Sequence, residues 1–199
     1  MLMKRIQDAQ RFAKLISSME SIYKLKSIPR SGWIQSGIPE SEVESIAGHS
    51  FGMAMLIINL RSQLLENGID VERALKMALI HDVAEAITGD YTPMDDISEL
   101  EKHLAEDEAF TQIMDGNHEG RFLKELWDEF EAGNSPEAQV VKRMDKLDML
   151  IQAYIYEKQH SIRLDSFWAD MDDLFKNSES QPIFDYIRNN RTKYKGSFE

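Results

Sequence analysis

The chain has 199 residues, 42% of them hydrophobic, which is enough for one domain with a real core. Aspartate and glutamate number 35 against 23 lysines and arginines, a formal charge of -12, and a surface of that sign repels nucleic-acid polymers. There is no cysteine, so disulfides, thiolate metal sites and cysteine nucleophiles are excluded together, and any metal must use nitrogen and oxygen ligands.

The first segment, "MLMKRIQDAQRFAKLI", is punctuated by charges and holds no apolar block of signal-peptide length. No stretch reaches the ~18 apolar residues of a membrane span, so a cytoplasmic protein with no membrane partner is expected. Ile6, Ala9, Ala13, Ile16 and Tyr23 fall on one stripe and predict an amphipathic helix ending near Lys26. "SIPRSGWIQSGIPESEVES" carries prolines, glycines and serines throughout and reads as a long irregular loop of the kind that carries function. The following segment, "IAGHSFGMAMLIINLRSQLLENG", is apolar on most faces and stops at Gly68, which predicts a central helix.

Asp70 is placed to cap the next helix, "VERALKMALIHDVAEAI", predicted to run to about Ile87 before Gly89. Ser98 with Glu101 forms a capping-box pattern opening a helix to about Asp115, and another runs from about Glu119 to Ala132; both are strongly charged and read as peripheral. Ser135 followed by Pro136 opens a long helix whose predicted buried stripe is Val140, Met144, Leu147, Ile151 and Ile155. Two shorter helices, about 165–176 and 181–192, offer Phe167, Trp168, Phe175 and Phe184 for packing, and the basic stretch "RNNRTKYKG" reads as a solvated tail. With no strand pattern and no repeat, the expected class is all-α.

Chemistry concentrates where the apolar run "ALKMALI" meets "HDVAEAITGD". Buried ionisable groups need partners. On a continuous helix His81 and Glu85 share a face and Asp82 is turned by about 100° from His81, so His81 and Asp82 can converge on one ion with Glu85 beside it. Alternatively, His81 bonds a backbone carbonyl and Asp82 pairs with a lysine. His49 and Asp145 place further metal-competent groups next to apolar stripes on two other helices, and a bundle can gather such groups in its interior. Two histidines and two aspartates form a donor set suited to manganese, cobalt, nickel, iron or zinc. Asp148, three residues past Asp145, could serve in its place. His103, His118 and His160 lie in charged or terminal segments, which favours a single metal.

The order His49, His81 with Asp82, then Asp145 resembles the H…HD…D signature of the HD-domain metal-dependent phosphohydrolases. "IPRSGW" at 28–33, "HDVAEAITGD" at 81–90 and "VKRMDKLDM" at 141–149 are similar to the branch containing the 5′-deoxynucleotidases, over about Lys24 to Tyr156. The resemblance implies a single-domain HD-type helical bundle over 1–199, with its core at about 24–156 and the C-terminal helices packed on it. It makes His49, His81, Asp82 and Asp145 ligands of one divalent metal, with magnesium as a further possibility.

By the same resemblance Glu85 is the acid/base, Arg30 a phosphate contact, Asp90 a sugar-hydroxyl contact and Trp33 a wall near the sugar. For Arg30 and Trp33 the residues themselves leave open a carbonyl cap and ordinary core. The implied substrate is a nucleoside 5′-monophosphate and the implied assembly a homodimer. One departure is Gly48, where relatives usually carry Glu or Asp just before the first histidine; it bears on the shell around His49. The alternatives are another phosphoester, such as a cyclic nucleotide or a triphosphate, and a non-catalytic, metal-stabilised helical binding module.

Overall fold

Four short polar side chains set where the long inner helices begin. Ser45, Asp70, Ser98 and Ser135 each accept a hydrogen bond from the backbone N–H three residues on, satisfying a donor that the first helical turn leaves unpaired. Glu101 returns a bond to the Ser98 backbone and completes the capping box.

The computed structural model describes residues 2–191. In chain order the helices are α1 (Leu2–Ile22), α2 (Ser31–Gln35), α3 (Ile46–Asn59), α4 (Arg61–Glu66), α5 (Val71–Ile80) and α6 (Glu85–Thr88). They continue with α7 (Glu99–Met114), α8 (Gly120–Ala132), α9 (Pro136–His160), α10 (Asp165–Trp168), α11 (Asp172–Phe175) and α12 (Gln181–Arg191). Among the described residues the only β-type pairing is an isolated antiparallel bridge between Pro29 and Ser45. The fold is therefore all-α, as expected, and no helix of it is long and apolar enough to cross a membrane.

Helices α3, α5 and α9 form the centre. Met53 and Ile57, Ala74 and Met77, and Val140, Met144 and Leu147 share one cluster, which Leu126 and Phe130 of α8 and Phe184 and Ile187 of α12 close. A second cluster joins Ile46, Val83 and Ala84 to Phe110 and Ile113 of α7 and Trp127 of α8. A third sets Trp33 and Ile38 against Ala153, Tyr156 and Leu164. Arg191 ties α12 back to α9 through Glu157 at 2.6 Å, so this part of the basic stretch is paired; positions 192–199 lie outside the described residues.

Several expectations need correction. The stripe on α1 is not buried: Ile6, Ile16 and Tyr23 are each about half exposed, and the last turn, Tyr23–Lys26, tightens to a 3₁₀ helix. The long helix after Ser45 breaks at Leu60 into α3 and α4, and Gly68 ends it with a positive φ. Helices α7 and α8 are not peripheral, because each supplies a buried aromatic to the second cluster. On α9 the buried positions drift from Val140, Met144 and Leu147 to Leu150, Ala153 and Tyr156, while Ile155 is exposed. The helix expected at 165–176 is two short turns, with Asp170 between them at positive φ. Within the loop before Ser45, residues 31–35 form the short helix α2.

Candidate active site

The helix carrying the central histidine does not run on to Ile87. It ends at Ile80, and residues 81–84 turn tightly, with N–H bonds spanning three residues from Val83 to Ile80, Glu85 to Asp82 and Ala86 to Val83. In a three-residue repeat, positions i and i+3 eclipse, so Asp82 and Glu85 stand on the same side. This replaces the continuous-helix geometry. Trp127 of α8 donates its Nε1–H to the His81 carbonyl at 3.0 Å, so the helix expected to be peripheral holds the turn. Gly89 follows with φ 79 and ψ 173, a backbone region essentially reserved for glycine, and this returns Asp90 toward α2.

His49 and His81 face each other with ring centroids 5.5 Å apart, both buried. His81 Nδ1 lies 2.9 Å from the Ala78 carbonyl, an oxygen that can only accept, which fixes the proton on Nδ1 and leaves Nε2 as a lone-pair donor. His81 Nε2 lies 3.1 Å from Asp82 Oδ2. His49 Nε2 lies 3.2 Å from Asp145 Oδ1 without the alignment of a hydrogen bond, and its Nδ1 is 2.8 Å from Asp148 Oδ2. Three buried polar atoms of this cluster, His49 Nε2, His81 Nε2 and Glu85 Oε2, have no hydrogen-bond partner. Orphaned buried groups are rare and call for an explanation. Ligand atoms of His49, His81 and Asp82 lie within 4.8 Å of one another, so the residues present fit a divalent ion. Asp145 joins the group through His49, whereas Asp148 lies on the opposite side of that ring.

Arg30 precedes α2 and lies beside the site, because its N–H bonds the Glu44 carbonyl across the isolated bridge. Its Nη1 is 3.1 Å from Asp82 Oδ2 and 3.7 Å from Asp90 Oδ1. Asp90 also accepts a short hydrogen bond from the Ser31 N–H. Trp33, expected near the sugar, is 2% exposed, stacks on Phe167 at 4.3 Å and donates to Glu44 Oε1 at 2.9 Å. It anchors α2 from the third cluster, and its ring meets a ligand only if Phe167 moves.

The charges perturb one another. Burial, reinforced by the negative charges of Asp82 and Asp90, holds Glu85 well above the usual carboxylate range. Burial acts the same way on Asp82 and Asp145 but is overridden, for Asp82 by His81 and Arg30 and for Asp145 by His49 and Lys146, so both are held low. For His49, burial and Arg30 oppose the charged ring, and the carboxylates of Asp145 and Asp148 outweigh them, raising its pKa to about 9.

Two contributors from α7 were not singled out in the sequence. Glu106, pushed up to about 7 chiefly by burial, and Lys102, 3.7 Å from it, both act electrostatically on this cluster. Their signal was the four-residue spacing of a Lys–Glu pair, which is also the pattern of an ordinary solvated helix face. His103 and His118 stand away on Glu131 and Glu119, and His160 on Glu42.

The HD domain family model matches residues 22–182. The Danio rerio protein named 5′-deoxynucleotidase HDDC2 is 32% identical over 184 residues, covering 90% of this chain and 89% of its own. A Dictyostelium discoideum relative of the same name is 38% identical over 156 residues, 73% of this chain and 81% of its own. Among solved structures, PH0347 protein from Pyrococcus horikoshii OT3 is similar with a TM-score of 0.73 and 38% identity, over 90% of this chain and 99% of that one. A family match over residues 22–182, which span the histidine and aspartate positions described above, with a relative 32% identical over most of both chains, leads to one assignment: the chain belongs to the HD-domain family.

Proposed function

We propose that this single-domain protein is a metal-dependent phosphohydrolase that releases phosphate from nucleoside 5′-monophosphates, with deoxyribonucleotides as its preferred class. The observation that carries the reading is the pair of orphaned Nε2 atoms on His49 and His81, facing Asp82 and Asp145 with Glu85 and Arg30 alongside. The names of the Danio and Dictyostelium relatives support the substrate class.

His49, His81, Asp82 and Asp145 would hold one divalent ion; manganese, cobalt, nickel, iron and zinc suit the donors, and magnesium is included. A cation there supplies Lewis-acid activation of water and of the phosphoryl oxygens. Glu85, eclipsed with Asp82 and held above the usual carboxylate range, takes a proton at its Oε2 and returns it to the leaving oxygen. Arg30 meets Asp82 and Asp90 through Nη1, and the rest of its planar fork orients the phosphate. Asp90, held against the α2 N–H of Ser31, accepts from a sugar hydroxyl. Trp33 acts by fixing α2, and so Arg30, in place.

The test is phosphate release from a panel of deoxyribo- and ribonucleoside 5′-monophosphates by chelator-treated protein with each metal restored singly. Release is expected to need metal, to favour the deoxy series and to vanish in Asp82→Ala. Folded, metal-loaded protein that releases nothing from any of them would remove the nucleotidase reading in favour of another phosphoester or a binding module.

The same reading includes a cytoplasmic homodimer. Phe51, Met55 and Ile58 recur along α3 at helical spacing and are 66%, 40% and 50% exposed, with Leu79 of α5 at 55%. Such a stripe can pair with its own copy across a two-fold axis. Light scattering after gel filtration should give twice the chain mass, and Phe51→Glu should give the monomer; a monomeric parent protein would remove this part.

A further inference from the structure

His49 has a carboxylate at each ring nitrogen, and the two come from one helix: Asp145 and Asp148 are a turn apart on α9, at 3.2 Å from Nε2 and 2.8 Å from Nδ1. The ring is 0% exposed, so both contacts are made away from bulk solvent. Asp148 gets close because α3 has no side chain where it arrives. A Cβ built on Gly52 would lie 2.2 Å from Asp148 Oδ1 and 2.9 Å from its Cγ, closer than real Cβ contacts come, so the Asp148 carboxylate would have to shift. At Gly48, by contrast, a Cβ would meet Ser45 Oγ at 3.5 Å and Glu44 Cβ at 3.8 Å, which are ordinary contacts.

Glu44 is a second acid on the Nδ1 side, and its ligand atom lies within 4.8 Å of those of His49 and Asp148. Its Oε1 already accepts from Trp33 Nε1 at 2.9 Å, and a proton shared between Nδ1 and Asp148 accounts for the 2.8 Å contact without a second ion. A histidine that ligates through one nitrogen is held in tautomer and orientation by the acceptor on the other, and loss of such an acceptor typically costs about 10–100-fold in metal affinity.

We propose that Asp148 is the positioning residue of the metal centre: it accepts the Nδ1–H of His49, directs the Nε2 lone pair to the ion and sets its affinity, and Gly52 is the notch that admits it. The inference rests on the reading of His49 as a ligand. It also gives Gly48 a meaning, since the carboxylate that orients His49 comes from α9 instead of from the residue before the histidine.

The full-length protein is titrated with zinc alone, in competition with a chromophoric chelator, for the parent, Asp148→Ala, Asp148→Asn, Gly52→Ala and the Gly52→Ala/Asp148→Ala pair, each first shown folded by circular dichroism. Asp148→Ala should weaken zinc about 10–100-fold, with Asp148→Asn between it and the parent because its amide oxygen still accepts. Gly52→Ala keeps every carboxylate and should weaken zinc comparably, while the double variant should be no weaker than Asp148→Ala, since both remove one interaction. In zinc-loaded protein with ¹⁵N-labelled histidine, the Nδ1–H signal of His49 should be slow to exchange in the parent and lost in Asp148→Ala and Gly52→Ala. Parent-like zinc affinity in folded Asp148→Ala, or additive losses in the double variant, would overturn the proposal. Parent protein that takes up no ion would overturn the metal reading and this proposal together, and is told apart by appearing before any substitution is made.

Discussion

Glu85→Gln should lower phosphate release by roughly 10²–10⁴-fold, the usual worth of a positioned acid/base, and should raise the melting temperature of the metal-free protein. The two effects share one cause. The carboxyl is buried beside Asp82 and Asp90, and its charged form is disfavoured there. Its folded pKa stands above the usual 4.5, so its contribution to stability is full below about pH 4.5 and is lost as pH rises through the raised value. At neutral pH the site therefore carries a destabilising acid, which the amide removes while keeping the shape. Initial rates with saturating metal, and thermal melts in chelator at pH 7.5, measure both. Parent-like turnover in Glu85→Gln would remove Glu85 from the proton transfer, and an unchanged melt would remove the burial argument.

A second large effect concerns pH and metal together. His49 has its pKa raised from 6.5 to about 9, so the stabilisation it gives as an imidazolium between two carboxylates is full below 6.5 and disappears as pH climbs through about 9. That span corresponds to roughly 3 kcal/mol, or about 6–12 °C in melting temperature for a chain of this size. Glu85 changes in the same direction, whereas the low carboxylates Asp82 and Asp145 lose their contribution only on acidification below about 3.8. Metal-free protein should therefore melt progressively lower from pH 6.5 to 9. Ions compete with the proton on Nε2 and bind more tightly as pH rises, and an ion at 100 times its Kd adds ~2.7 kcal/mol. Melting curves with excess zinc and with chelator across this range should diverge as pH increases; parallel curves would mean that the ion does not displace the His49 proton.

The parts of this molecule legible in the sequence are those set by short-range chemistry. Ser98 with Glu101, Ser135 with Pro136, and Asp70 mark helix starts because the groups they satisfy lie within one turn. His49, His81, Asp82 and Asp145 stood out as polar interruptions of apolar runs, and the fold brings them to one place. What was not legible depends on partners far along the chain. The stripe of α1 reports amphipathy but not whether anything covers it. Buried positions on α9 drift because its first half faces the central cluster and its second half faces Trp33 and Leu164, two demands that one periodicity cannot express. Helix α7 read as solvated because charged residues run through it on several faces, yet one of those charges, Glu106, is turned inward. The sequence likewise left Asp145 and Asp148 as alternatives for one role; they differ in which side of the His49 ring they occupy.

The tight turn at 81–84 has a consequence for how this protein can diverge. Side chains along it are aligned by a count of three, with Asp82 and Glu85 bonded across it and Trp127 fastened to its first carbonyl. Exchanging Val83 or Ala84 for other small apolar residues leaves that count intact. Inserting or deleting a single residue there rotates Glu85 about a third of a revolution away from Asp82 while leaving the composition almost unchanged. Descendants of this chain are thus free to drift in identity along the segment but are bound in its length, so gaps in a family alignment should fall in the loop at 91–97 and never between His81 and Glu85.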